Sequence, residues 1–282
     1  MRNTDLHTHS YYSDGELSPK ELVRLAKKKS ILNLALTDHN SVKGVEEAIS
    51  EGKKIGINVI PGVEVLVKGG EILGYFVDYK NKKLNSELKR CAYYMNEKIK
   101  RKIKVLQKKG FNISYKKFSK YFATSKGNYN DGQPITFLSK FNNISRSEAY
   151  HLWTNTKIKK PLRKNLKPQA GIKLIIKYGG VAVLPHPWLN KDELKFSEDL
   201  IKKLIKAGLA GIEFENGDEN NMGRTKDIAS EIKRITEKYH LIMTQGSDFH
   251  GSNLVKWSKN HHDLGNYNCD EKVVEQLKGV LI

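Results

Sequence analysis

Short apolar runs alternate with amphipathic stretches over the first 80 residues, and the same alternation resumes near residue 169. Runs of four to seven apolar residues bounded by turn residues are typical of strands, and stretches with a 3.6-residue period are typical of helices. The predicted strands cover residues 2–6, 32–36, 58–60, 71–77, 181–184, 211–214 and 241–244. One predicted helix begins at residue 18, and four others cover residues 41–49, 170–178, 200–207 and 227–239. Repeated strand–helix units predict an α/β protein with a parallel sheet, either open or closed into a barrel.

The segment 81–167 does not follow this alternation. Apolar residues recur there at spacings of three and four and predict one face of a long helix that ends at Gly110. Ser145 and Glu148 have the spacing of a capping box and predict a second helix through Trp153. We therefore expect a basic helical insertion domain at 81–167 within a discontinuous domain formed by 1–80 and 168–282. Most aromatic residues of the insertion are expected to pack rather than to stack on bases.

Positive charge is concentrated in that insertion. The chain of 282 residues has a net charge of +19, and Lys80 to Lys177 alone contains 26 basic and four acidic residues. The remainder is slightly acidic, with a net charge of −3. Such a local field favours a polyanionic partner such as a nucleic acid. The alternative is a surface of solvated lysines without a partner.

Composition narrows the class of protein further. The length is sufficient for a sizeable core, and no apolar run approaches the ~20 residues of a membrane span. The polar residues Asp5, His7 and His9 interrupt any signal-peptide pattern at the N-terminus. Cys91 and Cys269 are isolated, so we expect a reducing compartment, the cytoplasm, and no zinc thiolate site.

Histidines and carboxylates follow the predicted strands. His7 and His9 stand at positions i and i+2, so an extended backbone projects both from one face, about 6.6 Å apart. Asp248 and His250 repeat that spacing near the other end of the chain. The candidate metal ligands are His7, His9, Asp14, His39, Glu64, Glu71, His186, Asp248 and His250. All of them except Glu71 are also the candidate catalytic residues.

This ligand set contains imidazole and carboxylate groups without thiolate, a combination that suits Zn, Mn or Fe. Nine ligands exceed the needs of one ion, so two or three divalent ions are expected, with Glu64 as the bridge. Clustered ions of this kind activate water and clamp phosphate oxygens. Asp38 faces away from its neighbour His39 on an extended backbone, which favours a supporting role. Asp14 precedes a glycine, so a simple turn aspartate is the alternative to a ligand.

Taken together, these motifs resemble the PHP (polymerase and histidinol phosphatase) family of metal-dependent phosphoesterases. The motifs that carry the resemblance are Asp5-Leu6-His7-Thr8-His9-Ser10, Ser13-Asp14-Gly15, Thr37-Asp38-His39, Pro61-Gly62-Val63-Glu64, His186-Pro187 and Gly246-Ser247-Asp248-Phe249-His250-Gly251. The resemblance implies a distorted (β/α)7 barrel with a helical insertion domain and a trinuclear metal centre. It assigns one ion to His7, His9, Glu64 and Asp248, a second to Glu64 and His186, and a third to Asp14, His39 and His250.

Within the family, the inserted helical domain resembles that of the nucleoside 3′,5′-bisphosphate phosphatases and the 5′→3′ exonucleases that act on short RNA. Two positions depart from that pattern. Glu71 precedes Ile-Leu-Gly-Tyr where those relatives have histidine, which adds negative charge and alters the metal preference. The insertion reads Gly132-Gln133-Pro134-Ile135 where they have Gly-Arg-Pro-His, so an arginine and a histidine that could contact phosphate are missing.

We expect a hydrolase that cleaves a phosphate ester of a nucleotide or short oligonucleotide with metal-activated hydroxide. A small-molecule phosphatase of the histidinol-phosphate type is an alternative, but it gives no reason for the basic insertion. A nucleic-acid-binding module with a decayed metal centre is another, motivated by Glu71, Gln133 and Ile135. It would bind RNA or DNA in a salt-sensitive manner without turnover and hold fewer than two metals per chain.

Overall fold

The structure is a computed structural model that describes residues 2–125, 128–158, 166–189, 194–214, 226–251, 263–266 and 269–281. The strands in these ranges are β1 (Arg2–Thr8), β2 (Asn33–Leu36), β3 (Asn58–Val67), β4 (Gly70–Tyr75), β5 (Val181–Leu184), β6 (Leu209–Glu213), β7 (Ile242–Thr244) and β8 (Cys269–Asp270). The α-helices in these ranges are α1 (Pro19–Lys28), α2 (Val45–Ile55), α3 (Lys82–Lys108), α4 (Tyr115–Tyr121), α5 (Gly132–Phe141), α6 (Arg146–Asn155), α7 (Pro168–Lys177), α8 (Glu198–Ile205), α9 (Lys226–Lys238) and α10 (Lys272–Gly279). Within the described ranges, no helix is both long enough and apolar enough to cross a membrane.

The strands form one sheet in the order β7-β6-β5-β4-β3-β2-β1-β8. The segment that follows β7 returns to β1. There, the Leu6 backbone N–H donates to the carbonyl oxygen of Gln245 at 3.1 Å, and Thr8 pairs in parallel with Phe249. These bonds bring the two sides of the sheet together into a nearly closed barrel. The predicted α/β barrel fold is confirmed.

Two strands run against the others, which the expectation of a purely parallel sheet missed. β4 pairs antiparallel with both β3 and β5, and β8 pairs antiparallel with β1. Only Lys68 and Gly69 connect β3 to β4, and a parallel neighbour would need a crossover of a dozen or more residues. Gly69 has a φ of 91°, which a tight turn between these strands requires. β3 also continues to Val67, well beyond the predicted end of its strand at Ile60.

Alternate residues of the strands face two different hydrophobic clusters. Leu34 and Leu36 pack in the larger cluster with helices α1 and α2, whereas Ala35 packs with Leu6 and Leu73 on the other face of the sheet. Helix α1 begins as predicted: the Ser18 hydroxyl accepts a hydrogen bond from the Glu21 backbone N–H, and the Glu21 carboxylate accepts one from the Ser18 backbone N–H. Helices therefore cover the outside of the sheet, as in other barrels of strand–helix units.

Helices α3 to α6 share a hydrophobic cluster that also includes Leu66 of β3. It is built around Ile99, Phe118, Leu138 and Trp153. The long helix ends at Lys108, just before Gly110, and the capping box at Ser145 begins α6, both as predicted. Phe122 and Tyr129 are buried and Tyr115 packs against the same cluster, whereas Tyr93 and Tyr121 are exposed, so most of the aromatic residues pack, as expected. The domain boundaries at 80/81 and 167/168 stay a prediction.

Candidate metal centre

Loops at the carboxyl ends of neighbouring strands deliver most of the candidate ligands to one place. His9 follows β1, His39 follows β2, His186 follows β5, and Asp248 and His250 follow β7. His7 and Glu64 lie inside β1 and β3, because both strands extend further than the sequence predicted. This end of a barrel is where separate chain segments converge most easily on one ligand.

Glu64 lies at the middle of the cluster and is fully buried. Its Oε2 atom is 3.4 Å from Nε2 of both His7 and His9 and 3.0 Å from Nδ1 of His39. Its Oε1 atom is 3.1 Å from Nε2 of His186. Two oxygens thus face four imidazoles on different sides, the arrangement that a bridging carboxylate requires. The expected same-face projection of His7 and His9 is observed.

Asp248 and Glu71 flank this middle. Asp248 Oδ1 is 3.3 Å from Nε2 of His7 and 3.1 Å from Nε2 of His9. Glu71 Oε2 is 3.4 Å from Nε2 of His186, and Glu71 Oε1 is 3.8 Å from Nδ1 of His39. Glu71 therefore reaches the cluster with both oxygens.

Asp14 gathers the remaining side chains. Its Oδ1 atom is 3.2 Å from Nε2 of His250, 3.7 Å from Nε2 of His39 and 3.9 Å from Nδ1 of His9. The rings of His9 and His250 stack with centroids 4.2 Å apart. An aspartate that only formed a turn would have no reason to face three histidines, so the geometry favours the interpretation of Asp14 as a ligand.

All nine predicted residues come together. They form four overlapping groups in which ligand atoms lie within 4.8 Å of one another: His9, Asp14, His39 and His250; His7, His9 and Asp248; His7, Glu64 and His186; and His39, Glu64 and Glu71. Their assignment as ligands and catalytic residues stays a prediction.

Several buried polar atoms that face the cluster lack a hydrogen-bond partner. They are Nε2 of His7, Nε2 of His9, Nδ1 of His39, Oδ1 of Asp14 and Oε2 of Glu64. A buried polar atom without a partner costs roughly 1–3 kcal/mol, and native proteins satisfy nearly all such groups. Divalent cations would satisfy these lone pairs together. The residues present therefore fit a metal centre.

The pKa shifts of the clustered side chains also indicate a site that favours cations. Burial by itself lowers the pKa of histidine, but the surrounding carboxylates outweigh it and raise the pKa of His186 and of His250 to about 9. Burial and then the Glu64 charge raise the pKa of Glu71 to about 7. Burial and the neighbouring His250 and His39 lower the pKa of His9 to about 4. The carboxylates thus create a negative field that attracts cations.

Unusual backbone conformations occur at two of the predicted ligands. His186 has a φ of 26° and Asp248 a φ of 51°, values that side-chain-bearing residues rarely adopt. Gly246 permits a close approach nearby, because a Cβ atom at this position would lie 2.3 Å from Cβ of His7. The segment after β7 can therefore pack directly on β1 only with glycine there.

Glu213, at the end of β6, supports the centre and was missed at the sequence level. His7 Nδ1 donates to Glu213 Oε1 at 3.0 Å, and the backbone N–H of His186 donates to Glu213 Oε2 at 2.9 Å. With its Nδ1 proton engaged, His7 presents the Nε2 lone pair to the cluster. The position of Glu213 at the carboxyl end of a strand is the signal that could have found it.

Asp38 and Asp5 are also buried and act on the backbone around the ligands. Asp38 accepts hydrogen bonds from the backbone and hydroxyl of Ser10 at 2.8 and 2.7 Å and from the Ser13 hydroxyl at 2.6 Å. Asp5 accepts from the backbone of Ser247 at 2.9 Å. Through its bonds to Ser10 and Ser13, Asp38 fixes the loop that carries Asp14, which agrees with the supporting role predicted for Asp38.

The insertion touches the centre through two asparagines. Asn130 donates to the carboxylate of Asp14, and Asn128 donates to the backbone carbonyl of His39. Gln133 accepts a hydrogen bond from the backbone of Asn130 at 2.9 Å and is buried. Ile135 is buried in the hydrophobic cluster of the insertion. Gln133 therefore supports the asparagine loop, and Ile135 supports the helical core of the insertion.

The chain is similar to known proteins over most of its length. It is 27% identical over 252 residues to a 5′-3′ exoribonuclease of Haemophilus influenzae, covering 87% of this chain and 89% of the relative. It is 28% identical over 271 residues to a 3′,5′-nucleoside bisphosphate phosphatase of Chromobacterium violaceum, covering 89% of this chain and 88% of the relative.

A solved structure from Bifidobacterium adolescentis, described as that of a metal-dependent phosphoesterase, shares the fold with a TM-score of 0.81. The two chains are 22% identical, and the likeness covers 98% of this chain and 95% of the other. The sequence profile of the PHP domain matches residues 5–279. With the family motifs converging on one buried cluster, the chain belongs to the PHP domain family of metal-dependent phosphoesterases.

Proposed function

We propose that this hydrolase cleaves a phosphate ester of a nucleotide or short oligonucleotide, with two or three divalent ions of Mn, Zn or Fe at the centre. The observation that carries the proposal is the convergence of unpartnered, buried nitrogen and oxygen atoms around Glu64. Imidazole and carboxylate without thiolate suit these metals. When bound, such ions acidify water and stabilise negative charge on phosphate oxygens.

We assign the ligands to three ions by combining the observed groups with the short distances from Glu64 and Glu71 to their histidine neighbours. The first would be held by His7, His9, Glu64 and Asp248, the second by Glu64, Glu71 and His186, and the third by Asp14, His39 and His250. Overlap between the groups supports this assignment, since neighbouring ions would share Glu64 as a bridge. The carboxylate of Glu213 keeps the Nδ1 proton on His7, which leaves Nε2 for the metal.

The basic insertion supports a nucleotide or oligonucleotide as the substrate. Asn128 and Asn130 bring the insertion into contact with residues of the centre, so we expect an extended substrate whose phosphate binds there to reach the lysine-rich segment. A small phosphate monoester would not need that field. The named activities of the relatives, an exoribonuclease and a bisphosphate phosphatase, support the same class of substrate.

The two free cysteines are both buried and support the expected reducing compartment, the cytoplasm.

Release of products with Mn²⁺ tests the proposal. We expect phosphate from adenosine 3′,5′-bisphosphate or mononucleotides from 5′-phosphorylated oligoribonucleotides, with histidinol phosphate as the control for a small-molecule phosphatase. The variant Asp248→Asn should lose this activity by 100-fold or more, on the order of an electrostatic contact removed from a catalytic site.

Glu71→His restores the family residue and serves as the matched comparison. Turnover by that variant alone would mean that the native centre is incompetent. Salt-sensitive oligonucleotide binding without turnover by either protein, with fewer than two metals per chain, would support the binding-module alternative and contradict the proposal.

A further inference from the structure

A groove on the insertion lies outside the metal centre and combines exposed rings with lysines. Its volume is about 560 Å³. The groove is lined by Asn112, Lys117, Lys120, Tyr121, Phe137 and Phe141. Tyr121 and Phe141 are 40% and 38% exposed, whereas Phe137 beneath them is buried. The groove floor is thus part of the insertion core, and its rim is aromatic.

The rings form a packed platform rather than isolated side chains. The Tyr121 ring meets Phe137 and Phe141 edge-on, with centroids 5.7 and 5.3 Å apart, and Phe137 and Phe141 lie 4.4 Å apart. Lys140 lies over the Tyr121 ring at 5.1 Å and donates to its hydroxyl at 2.9 Å. A platform held in this way can accept a further flat group at little cost in conformational entropy.

Every charged side chain on helices α4 and α5 is a lysine. Lys116, Lys117, Lys120 and Lys140 are exposed on helices α4 and α5. Asp131 is the acidic residue among the described positions from 111 to 145. Its carboxylate forms an ion pair with Lys98 at 2.5 Å and accepts a hydrogen bond from the Trp153 indole at 2.9 Å. Lysines that surround exposed rings match the phosphates and bases of single-stranded nucleic acid.

Helix α5 connects the groove to the metal centre. Asn130, which contacts Asp14, lies just before its first turn, and Phe141 is its last residue. Ten residues of α-helix are about 15 Å long, and stacked nucleotides rise about 3.4 Å each, so roughly four nucleotides span this distance. We propose that the groove is a subsite that binds single-stranded nucleic acid several nucleotides away from the phosphate under attack. The cleavage of such a strand rests on the proposed function, but its binding does not.

Binding is tested with the full-length protein, EDTA and a fluorescently labelled decamer of single-stranded RNA, with a DNA decamer in parallel. Tyr121→Leu should weaken binding of the decamer about fivefold or more, the effect of losing one stacked base, and Tyr121→Phe should retain it. Lys120→Glu should weaken binding and reduce its dependence on salt. Tyr93→Leu is the matched control, because Tyr93 is an exposed tyrosine on α3 outside the groove.

Turnover separates the groove from the catalytic centre. Tyr121→Leu should raise KM for a 5′-phosphorylated decamer and leave KM and kcat for adenosine 3′,5′-bisphosphate unchanged. Inactivity of the wild type on both substrates, with Tyr121-dependent decamer binding intact, would overturn the proposed function and leave the subsite supported. Equal losses in Tyr121→Leu and Tyr93→Leu, or no loss in either, would overturn the subsite. A change of oligomeric state in Tyr121→Leu on size-exclusion chromatography would identify the groove as a contact between copies and overturn it as well.

Discussion

Replacing Glu213 with glutamine tests how the barrel prepares His7 for a metal. The carboxylate accepts one hydrogen bond from Nδ1 of His7 and another from the backbone of His186. Glutamine has nearly the same shape but only one acceptor oxygen. If its oxygen faces His7, its amide group meets the His186 N–H, donor against donor. If its amide faces His7, the ring proton moves to Nε2 and blocks the atom that faces the cluster.

Either orientation loses one hydrogen bond to a charged acceptor in a fully buried place. Such bonds contribute about 1.5–3 kcal/mol, and a factor of ten in affinity corresponds to about 1.4 kcal/mol. The expected loss in metal affinity is therefore about 10- to 100-fold, the range typical of residues that orient metal-bound histidines. Glu213 acts through the His7 ring and the His186 backbone, so we consider it a positioning residue.

The assay is calorimetric titration of chelator-treated protein with Mn²⁺, combined with thermal unfolding of the metal-free form. Glu51→Gln is the matched control, because Glu51 is another buried glutamate whose partner, Arg24, lies 2.6 Å away between helices α1 and α2. Glu51→Gln should lower the unfolding temperature and leave metal affinity unchanged. Loss of stability in both variants with unchanged metal affinity in Glu213→Gln would show that Glu213 is merely structural, and the reasoning would be refuted.

Three further predictions concern the same centre. Carboxylates raise the pKa of His186 and of His250 to about 9 in the metal-free protein, so Mn²⁺ binding near neutral pH should release protons, and its affinity should increase as pH rises towards 9. Calorimetric titration in buffers of different ionisation enthalpy measures the number of protons released. Mn²⁺ binding without proton release would contradict the prediction. Gly246→Ala should destabilise the protein by about 1–3 kcal/mol in urea unfolding, because its Cβ overlaps β1, whereas Gly279→Ala meets no atom within 4 Å and should have little effect. Asn130→Ala should weaken one bound ion roughly fivefold through loss of about 1 kcal/mol, and equal affinity of all ions in variant and wild type would disprove the contact.

Local patterns predicted the outer parts of the fold well. Ser18 and Ser145 begin helices with capping boxes because their partners lie three residues away, an interaction completed within one turn. The long helix ends before Gly110 for a similarly local reason. The length of β3 and the direction of β4 were missed, because an antiparallel strand gains its pairing from distant β5 as well as from its neighbour.

The candidate ligands were predictable because each carries its own chemistry and most of them lie at or just past the end of a predicted strand. Glu213, Asn128 and Asn130 were not, since a lone glutamate or asparagine is chemically ordinary until the residue opposite it is known. The interpretation of Gln133 as a missing phosphate contact likewise changed once its hydrogen bond to the Asn130 backbone was seen.

The sequence by itself determined the alternation of strands and helices, the basic insertion and the nine side chains able to hold metal. These properties depend on residue type and on spacing within a few positions. Tertiary structure alone decided that Glu64 faces four histidines, that Glu71 reaches the same cluster, and that the insertion contacts Asp14. Those distances join residues far apart in the chain, and only closure of the barrel and packing of its helices fix them.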